Sequence, residues 1–280
     1  MAKHEIINTL KIGFIGVGNL GQAVMKAFID SGVVSRENIR IANRTERKLE
    51  RVAAEFQVRS VPTNEQLIDE CDVVILGIKP QDLYQAIEPI SSSFHSDHVV
   101  MSLAAGVSLS SLQKLIPSAE KILRVMPNTA AKIRRSVTAY AATPKCQPIL
   151  PWIEELLGTM GVVVPVEDGE MMQSLTVAAS SGIGFLYELM IYWKEWLEER
   201  GIDSDTAKKI TVQTFAGAAA MAEIAPDTSL DELQRKVTSL KGVTAAGLDS
   251  MRELEIERTL RISFEKASMR DKELGQNFNK

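Results

Sequence analysis

Short β-branched runs alternate with helical patterns over the first 167 residues, and this alternation limits the possible folds more than any other feature. Strands are expected at Leu10–Ile15, Ile39–Ala42, Asp72–Ile78, Val99–Leu103 and Ile122–Met126. Helices are expected at Gly21–Ser31, Arg47–Phe56, Gln81–Ile87 and Leu109–Leu115. A strand followed by a helix, repeated in this way, predicts a parallel sheet covered on both faces.

The strand signal ends near residue 167, and long helical patterns follow at roughly 169–199, 204–224, 229–238 and 243–270. We therefore predict an α/β protein with two domains. Residues 1–167 form a doubly wound, Rossmann-like nucleotide-binding domain, and residues 168–280 form an all-helical domain.

Composition excludes several classes of function. The net charge of −4 and the absence of a Lys/Arg cluster argue against nucleic-acid binding. Two cysteines are too few for a disulfide scaffold, and with three histidines they show no metal-ligand spacing. We expect no metal site.

The chain shows no signal for export, so we expect a cytoplasmic protein. The N-terminus lacks a basic region followed by an apolar run. The apolar stretch Met171–Trp193 is interrupted by Glu188 and closed by Lys194, whereas a membrane span needs about 20 nearly uncharged residues. We expect no membrane contact; a helix this apolar predicts burial against protein, including a second subunit, and hence at least a dimer.

A glycine-rich turn follows the first expected strand and opens the first expected helix. Gly16, Gly18 and Gly21 have the dinucleotide-binding spacing, and Asn19 and Leu20 complete the loop. The first glycine permits a tight turn, the second lets the pyrophosphate approach, and the third allows close helix packing. The pyrophosphate would lie on free N–H groups at the helix N-terminus.

The end of the second strand selects the cofactor. An NAD-preferring site has an acidic residue there, whereas this chain has Asn43, Arg44 and Thr45. Arg44 offers a planar set of donors for a 2′-phosphate, which favours NADPH. The alternative is that Arg44 is a solvated residue at the start of a helix. Nearby Glu46 leaves some use of NADH open.

Two more turns lie at carboxyl ends of expected strands, where open α/β sheets bind ligands. One turn consists of Gly77, Ile78, Lys79 and Pro80, in which the lysine faces either the cofactor or solvent. The other contains Asn128, which either contacts the nicotinamide amide or caps a turn.

Together these residues resemble the pyrroline-5-carboxylate reductase family, with similarity over about residues 10–275. The resemblance rests on the following segments: Gly13-Phe-Ile-Gly-Val-Gly-Asn, Asn43-Arg-Thr, Lys79-Pro-Gln, Ala105-Gly-Val, Arg124-Val-Met-Pro-Asn-Thr, Gln213-Thr-Phe-Ala-Gly-Ala-Ala, Ser239 to Gly247 and Arg270-Asp-Lys-Glu-Leu.

The resemblance implies NAD(P)H-dependent reduction of 1-pyrroline-5-carboxylate to L-proline, the last step of proline biosynthesis. It also implies a helical domain that binds substrate and interlocks with its partner in a homodimer, sometimes assembled further. Beyond the turns above, it places cofactor contacts at Asn64, Ala104 and Ala105.

The sequence departs from the family near the substrate. Ser181-Gly-Ile-Gly-Phe-Leu-Tyr187 stands where the family has Ser-Gly-Ser-Gly-Pro-Ala-Tyr. Ser239-Leu-Lys-Gly-Val-Thr244 stands where it has Ser-Pro-Gly-Gly-Thr-Thr. Thr244 matches the threonine that the family places against the substrate ring nitrogen, and it is the predicted catalytic residue.

Reduction of a cyclic imine needs binding and orientation more than acid–base groups, which suits a chain with no evident catalytic His or Cys. Thr244 would hydrogen-bond the ring nitrogen. Substrate contacts are predicted at Lys241, Gly242, Val243 and Thr244, where free N–H groups at a helix start can hold a carboxylate. Lys241 either adds a charge there or points to solvent.

Two alternatives remain open. The first is a reductase of another cyclic imine or of a small β-hydroxy acid, although the Ser181–Tyr187 segment lacks the lysine that β-hydroxy acid dehydrogenases need. The second is a dinucleotide-binding paralogue without catalytic activity, which the altered substrate loop suggests.

Overall fold

The first half of the chain folds as alternating strands and helices. The structure is a computed structural model that describes residues 3–278, so Met1 and Ala2, which begin the segment inspected for an export signal, lie outside the described residues. The elements in chain order are α1 (Lys3–Thr9), β1 (Ile12–Ile15), α2 (Asn19–Asp30), β2 (Ile39–Ala42), α3 (Glu46–Phe56), β3 (Arg59–Ser60), α4 (Asn64–Glu70), β4 (Val73–Leu76), α5 (Pro80–Ile87), β5 (Val99–Ser102), α6 (Leu109–Leu115), β6 (Lys121–Met126), β7 (Ser136–Ala142), α7 (Leu150–Gly158) and β8 (Gly161–Pro165).

All these strands join one eight-stranded sheet in the order β3-β2-β1-β4-β5-β6-β7-β8. The chain runs outward from β1 to β3 and then returns to place β4 on the other side of β1. This reversal of strand order between β1 and β4 creates a crevice at the carboxyl ends of the strands, where doubly wound folds bind dinucleotides.

The central strands are buried on both faces because helices cover each side. Alternate residues of β1 divide between two cores, with Ile12 and Phe14 in one and Ile15 in the other. Side chains of α2, α3 and α7 fill the first core, and those of α4, α5 and α6 fill the second. The predicted α/β fold class and the five expected strands are confirmed.

Two expectations about the sheet were wrong. Met126 does not end the last strand, because β7 and β8 extend the sheet beyond it, and the sheet is not wholly parallel, because β7 runs antiparallel to β6. β7 is rich in alanine, which weakens its strand pattern, whereas the three consecutive valines of β8 are a strand signal that sequence reasoning missed.

The C-terminal part is helical as predicted, with α8 (Glu170–Leu175), α9 (Gly182–Glu199), α10 (Ser204–Glu223), α11 (Leu230–Lys236), α12 (Val243–Glu253) and α13 (Ile256–Phe278). Two predicted helices are interrupted. A π-helical turn at Thr176–Ser181 separates α8 from α9. The pattern at 243–270 is two helices, since Glu255 takes a left-handed conformation with φ 50°.

By compactness the chain divides into two units. The first comprises the residues up to Ser181 together with those from Ala267 onward, and the second comprises Gly182–Lys266. The sheet and its helices therefore include the C-terminal turns of α13. These units are defined by compactness. The boundary near residue 167 between the nucleotide-binding domain and the helical domain stays a prediction.

In the second unit, α9 packs against α10 through apolar side chains, and the ring centroids of Trp193 and Phe215 are 5.5 Å apart. The stretch Glu170–Glu199 is long and apolar enough to cross a membrane by length and composition, and 11% of its most apolar window is buried. Within one chain this stretch is therefore largely uncovered.

Candidate cofactor and substrate sites

The glycine loop between β1 and α2 has the backbone geometry that its sequence predicts. Gly16 has φ +90°, and a Cβ there would lie 2.9 Å from the Gly77 carbonyl oxygen. A Cβ on Gly77 would in turn collide with the Gly16 carbonyl oxygen. The turns after β1 and β4 thus touch backbone to backbone, which only glycine permits at both positions.

The other two glycines differ in their surroundings. Gly21 lies in the first turn of α2, and a Cβ there would be 3.0 Å from the Gly16 carbonyl oxygen. The nearest atom to a Cβ on Gly18 would be 3.9 Å away, so no steric contact within the protein requires glycine at this position. An open approach at this N-cap position is what a pyrophosphate needs.

A cleft of about 470 Å³ opens beside this loop at the carboxyl ends of β1, β2 and β4. Eight predicted cofactor residues line it: Gly16, Gly18, Asn43, Arg44, Thr45, Asn64, Ile78 and Lys79. Five lining residues escaped the sequence analysis: Ile15, Lys48, Asp82, Gln85 and Ala86. Half of the sixteen predicted cofactor residues therefore line this cleft.

The cleft is rich in positive charge. Arg44, Lys48 and Lys79 line it, and Asp82 is the one carboxylate among the lining residues. Arg44 is exposed and, within the described part of the chain, makes no hydrogen bond or ion pair. Its guanidinium is therefore available to an anionic ligand.

Lys48 is the most informative residue that sequence reasoning missed. It lies in the first turn of α3, whereas Arg44 precedes the helix and its N-cap Thr45, and both side chains line the cleft. No spacing in the sequence indicates this position, because it depends on how α3 is oriented against the sheet. Glu46, expected to soften the cofactor preference, does not line the cleft.

Asn43 braces the loop as well as lining the cleft. Its Oδ1 accepts a 3.3 Å hydrogen bond from the Val17 N–H, and its Nδ2 donates to the Thr45 carbonyl oxygen at 3.2 Å. The amide thus ties the turn after β2 to the glycine loop. Asn64, at the start of α4, lines the cleft as the resemblance implies.

The remaining predicted cofactor residues do not line the cleft. Asn19, Leu20, Gly21, Gly77 and Pro80 form the supporting turns, with Pro80 at the first position of α5. Ala104 and Ala105 follow β5, the next strand beyond β4, and the first is buried whereas the second is half-buried.

Asn128 acts as a cap in this structure. Its Oδ1 accepts from the Ala130 N–H at 2.9 Å, and its Nδ2 donates to the Ala179 carbonyl oxygen at 3.0 Å. Of the two alternatives for this residue, the structure shows the cap, and a nicotinamide contact stays a prediction. Ala179 belongs to the π-helical turn, so Asn128 also anchors that turn to the end of β6.

The predicted substrate residues lie together in the second unit. Gly242 is the N-cap of α12, and a Cβ there would collide with the Ser239 hydroxyl. The first N–H that donates within the helix is that of Ala246, to the Gly242 carbonyl oxygen at 3.1 Å. The N–H groups of Val243, Thr244 and Ala245 therefore precede the first helical hydrogen bond and can face an anion.

The side chains of this loop are strongly exposed. Leu240 and Val243 are 93% and 94% exposed, and Thr244 is exposed at the second position of α12. Lys241 takes a left-handed conformation with φ 57° and is also exposed. Among the two alternatives for Lys241, the structure of the single chain shows the solvent-facing one. No cluster of His, Cys, Asp or Glu among residues 3–278 could hold a metal ion.

This combination of a doubly wound sheet, a glycine loop and a cation-lined cleft defines a dinucleotide-dependent oxidoreductase. Two family models match the chain: NADP oxidoreductase coenzyme F420-dependent over residues 11–106, and pyrroline-5-carboxylate reductase dimerisation over residues 169–274. A pyrroline-5-carboxylate reductase from Methanosarcina acetivorans is 32% identical over 95% of this chain and 98% of its own length. The chain belongs to the pyrroline-5-carboxylate reductase family.

Solved structures agree with this assignment. A pyrroline-5-carboxylate reductase from Coxiella burnetii is 29% identical, covers 95% of this chain and 99% of its own, and superposes with a TM-score of 0.83. The Plasmodium falciparum pyrroline carboxylate reductase with NADP bound has a TM-score of 0.87 at 20% identity, over 96% of this chain and 99% of its own, and supports the fold. The resemblance stated from the sequence is confirmed, as is the class of NAD(P)H-dependent oxidoreductase.

Proposed function

We propose that this chain reduces 1-pyrroline-5-carboxylate to L-proline with NADPH, the last step of proline biosynthesis. The observation that carries the cofactor assignment is the cleft, where a glycine loop, a free Arg44 and a nearby Lys48 meet at the end of β2 with no carboxylate at the strand tip. The substrate assignment rests on membership of the family and on retention of Thr244 at the start of α12.

NADPH would supply the hydride. The residues of this chain would bind and orient the cofactor and the substrate and would exclude water from the site. The N–H groups after Gly18 would hold the pyrophosphate. Arg44 and Lys48 would hold the 2′-phosphate on the adenosine side, and Lys79 would add positive charge to the same cleft. Because strand order runs β2-β1-β4-β5, the nicotinamide half would extend toward the turns after β4 and β5, which include Ala104 and Ala105.

The substrate would dock on the loop from Lys241 to Thr244. The free N–H groups at the start of α12 suit its carboxylate, and the Thr244 hydroxyl suits its ring nitrogen. A cyclic imine nitrogen is readily protonated near neutral pH, and the resulting iminium carbon accepts hydride directly. Thr244 therefore positions the ring and contributes a hydrogen bond rather than acting as a poised acid.

We also propose a homodimer, assembled further or not, in the cytoplasm. The dimerisation family model spans residues 169–274, and large apolar side chains of α9 are about half exposed, including Tyr187, Tyr192, Trp193 and Trp196. A second copy of the chain would remove this surface from water, which is the main reason for such a patch on a protein. We propose no membrane or nucleic-acid partner.

A panel of imines tests the proposal directly. Purified protein is supplied with NADPH and either 1-pyrroline-5-carboxylate or its six-membered analogue. In a separate assay it is supplied with NADP⁺ and a small β-hydroxy acid. The absorbance of the reduced cofactor is followed in each assay. We expect rapid oxidation of NADPH with the five-membered imine.

Two other outcomes would overturn the substrate assignment in different ways. Preference for a different imine or acid would mean that Leu240, Lys241 and Val243 have changed the specificity of the loop. Tight binding of NADPH without turnover of any compound would mean that the chain is a binding protein that has lost catalysis.

A further inference from the structure

The last turns of α13 belong to the sheet unit rather than to the helical unit in which this helix begins. Residues from Ala267 onward cluster with the sheet, whereas those up to Lys266 cluster with the second unit. The side chains of α13 before Ala267 are almost all exposed, but Asp271 is 7% exposed. Something in the sheet unit therefore holds this end of the helix.

The contact is made backbone to backbone with the turn after β5. Gly106 has φ +76°, and a Cβ there would lie 2.6 Å from the Asp271 carbonyl oxygen and 3.0 Å from the Gly275 nitrogen. A Cβ on Gly275 would collide with the Gly106 carbonyl oxygen. Glycine on both sides lets the helix and the turn approach more closely than any side chain would permit.

Charged groups fix the same contact. Arg124, on β6 and only 4% exposed at its side chain, lies 2.9 Å from Asp168 through Nη1 and 3.6 Å from Asp271 through Nη2. The other oxygen of Asp168 accepts from the Leu109 N–H at 2.7 Å, at the first residue of α6. One buried guanidinium thus connects α13 to the far end of the turn after β5.

Further contacts join α13 to the neighbouring elements. Gln173 of α8 donates to the Ser268 carbonyl oxygen at 3.2 Å. The ring of Phe278 meets the edge of Tyr84 on α5, with centroids 6.1 Å apart. Since α5 begins at Pro80, α13 contacts the elements that follow both β4 and β5.

We infer that the last turns of α13 are a positioning element for the cofactor, with Gly275 and Asp271 as positioning residues that hold the turn Ala104–Gly106 where the nicotinamide half docks. This rests on the proposed function, which places the nicotinamide half at the turns after β4 and β5. The adenosine half would bind beside Arg44 and Lys48 near the end of β2, on the other side of β1, whereas Gly275 and Asp271 contact the turn after β5. Loss of the contact between Gly106 and Gly275 therefore weakens binding of the nicotinamide half and leaves binding of the adenosine half unchanged.

The variant Gly275→Ala tests this inference, because alanine favours the helix while its Cβ displaces the Gly106 carbonyl. Dissociation constants are measured for NADP⁺ and for adenosine 2′,5′-bisphosphate, which has the adenosine and 2′-phosphate but no nicotinamide. We expect NADP⁺ to bind about tenfold more weakly, as misplaced contacts do, and the bisphosphate to bind as in the wild type. Gly158→Ala is the matched control, since a Cβ on this helical glycine meets no atom within 4 Å.

Asp271→Asn provides a second variant that keeps the side-chain shape and removes the charge facing Arg124. It should also bind NADP⁺ more weakly than the wild type does, to a smaller extent, and bind the bisphosphate normally. If Gly275→Ala does not fold, Asp271→Asn alone tests the inference. Equal weakening of both ligands, or no change in either, would overturn the inference. Failure of the wild-type protein to bind NADP⁺ and the bisphosphate would instead defeat the proposed function.

Discussion

At the level of single residues, we expect charge near the end of β2 to set the cofactor preference. Arg44, just before α3, and Lys48, in its first turn, line the cleft, and neither has a carboxylate partner in the described part of the chain. A phosphate placed between them would make charge-assisted hydrogen bonds to both, whereas a ribose hydroxyl would gain much less. We therefore predict that the two side chains favour NADPH over NADH.

We predict that Arg44→Ala and Lys48→Ala each raise the KM for NADPH by roughly 10- to 100-fold, the effect of losing a hydrogen bond to a charged group. The KM for NADH should change little. Steady-state kinetics with both cofactors measure the ratio, and Arg47→Ala is the control because Arg47 is exposed on α3 outside the cleft. Equal effects on the two cofactors would remove these residues from the 2′-phosphate.

Thr244 is the predicted catalytic residue. Removal of its hydroxyl in Thr244→Ala should lower kcat by about 10- to 1000-fold, the scale of one lost transition-state hydrogen bond. The KM for NADPH should stay nearly constant, and Thr244→Ser should recover much of the rate. An unchanged kcat in the alanine variant would refute the assignment.

We predict that His98 makes the stability of the sheet unit depend on pH. Its Nε2 lies 3.1 Å from the Ile68 carbonyl oxygen, and its Nδ1 accepts from the His95 N–H at 3.1 Å, so the neutral ring is satisfied at both nitrogens. Burial lowers the pKa of His98 from 6.5, and the stacked His95 lowers it further, whereas the Ile68 carbonyl, Asp72 and Asp69 oppose this. Protonation would cost the folded state an accepted hydrogen bond.

Because folding lowers the pKa of His98, we expect the free energy of unfolding to fall as the pH drops. The unfolded chain takes up the proton near pH 6.5, before the folded chain does, so stability falls as the pH drops below about 6.5 and this loss levels off below the folded pKa. Urea unfolding between pH 7.5 and about 5 measures it. His98→Gln should flatten the pH dependence, and an identical slope in wild type and variant would contradict the account.

At the scale of elements, the extension of the sheet by β7 and β8 depends on a glycine. Gly161 has φ +137°, and a Cβ there would collide with the Ser136 carbonyl oxygen on the paired strand. We predict that Gly161→Ala lowers the free energy of unfolding by about 2–4 kcal/mol, the sum of backbone strain and overpacking. Chemical denaturation checks this, and Gly158→Ala, three residues earlier with open space around its Cβ, should change stability by less than about 1 kcal/mol.

Sequence patterns predicted the central strands and missed other elements, including β7, β8 and the helices α4 and α7. β1, β4 and β5 are continuous apolar runs, and a helix of the expected period follows each. β7 and β8 lie at one edge; alanine weakens the pattern of β7, whereas the three valines of β8 are a strand signal that sequence reasoning missed. The helix at 243–270 hid a break because Glu255 adopts its left-handed conformation without a glycine or proline to signal it.

The candidate site shows the same division. Residues that act through the backbone or at strand ends, such as Gly16 and Arg44, could be placed from spacing alone. Lys48 and Asp82 could not, because they reach the cleft from the first turns of helices whose orientation the sequence does not give. The backbone contact between Gly106 and Gly275 joins residues far apart in the chain, and no local sequence pattern indicates such a contact.

At the scale of the whole molecule, the second unit exposes more large apolar side chains than an isolated protein normally does. They include residues on α9, α10 and the substrate loop, with Leu240 and Val243 nearly fully exposed. Because Glu188, Lys194 and other charged residues interrupt the apolar stretch of α9, a protein surface suits it better than a bilayer. Family membership makes a second copy of this chain the expected partner.

We predict that the protein sediments at no less than twice its chain mass of 30.8 kDa. Ile191→Glu, on α9 and 46% exposed in the single chain, should shift the equilibrium toward monomer, because a carboxylate buried without a partner costs several kcal/mol. Ile133→Glu is the control, since Ile133 is 72% exposed in the sheet unit, away from the residues matched by the dimerisation model. Sedimentation velocity of the wild type and both variants over a range of concentrations decides the matter, and a wild-type protein that remains monomeric at micromolar concentration would show that α9 is not an interface.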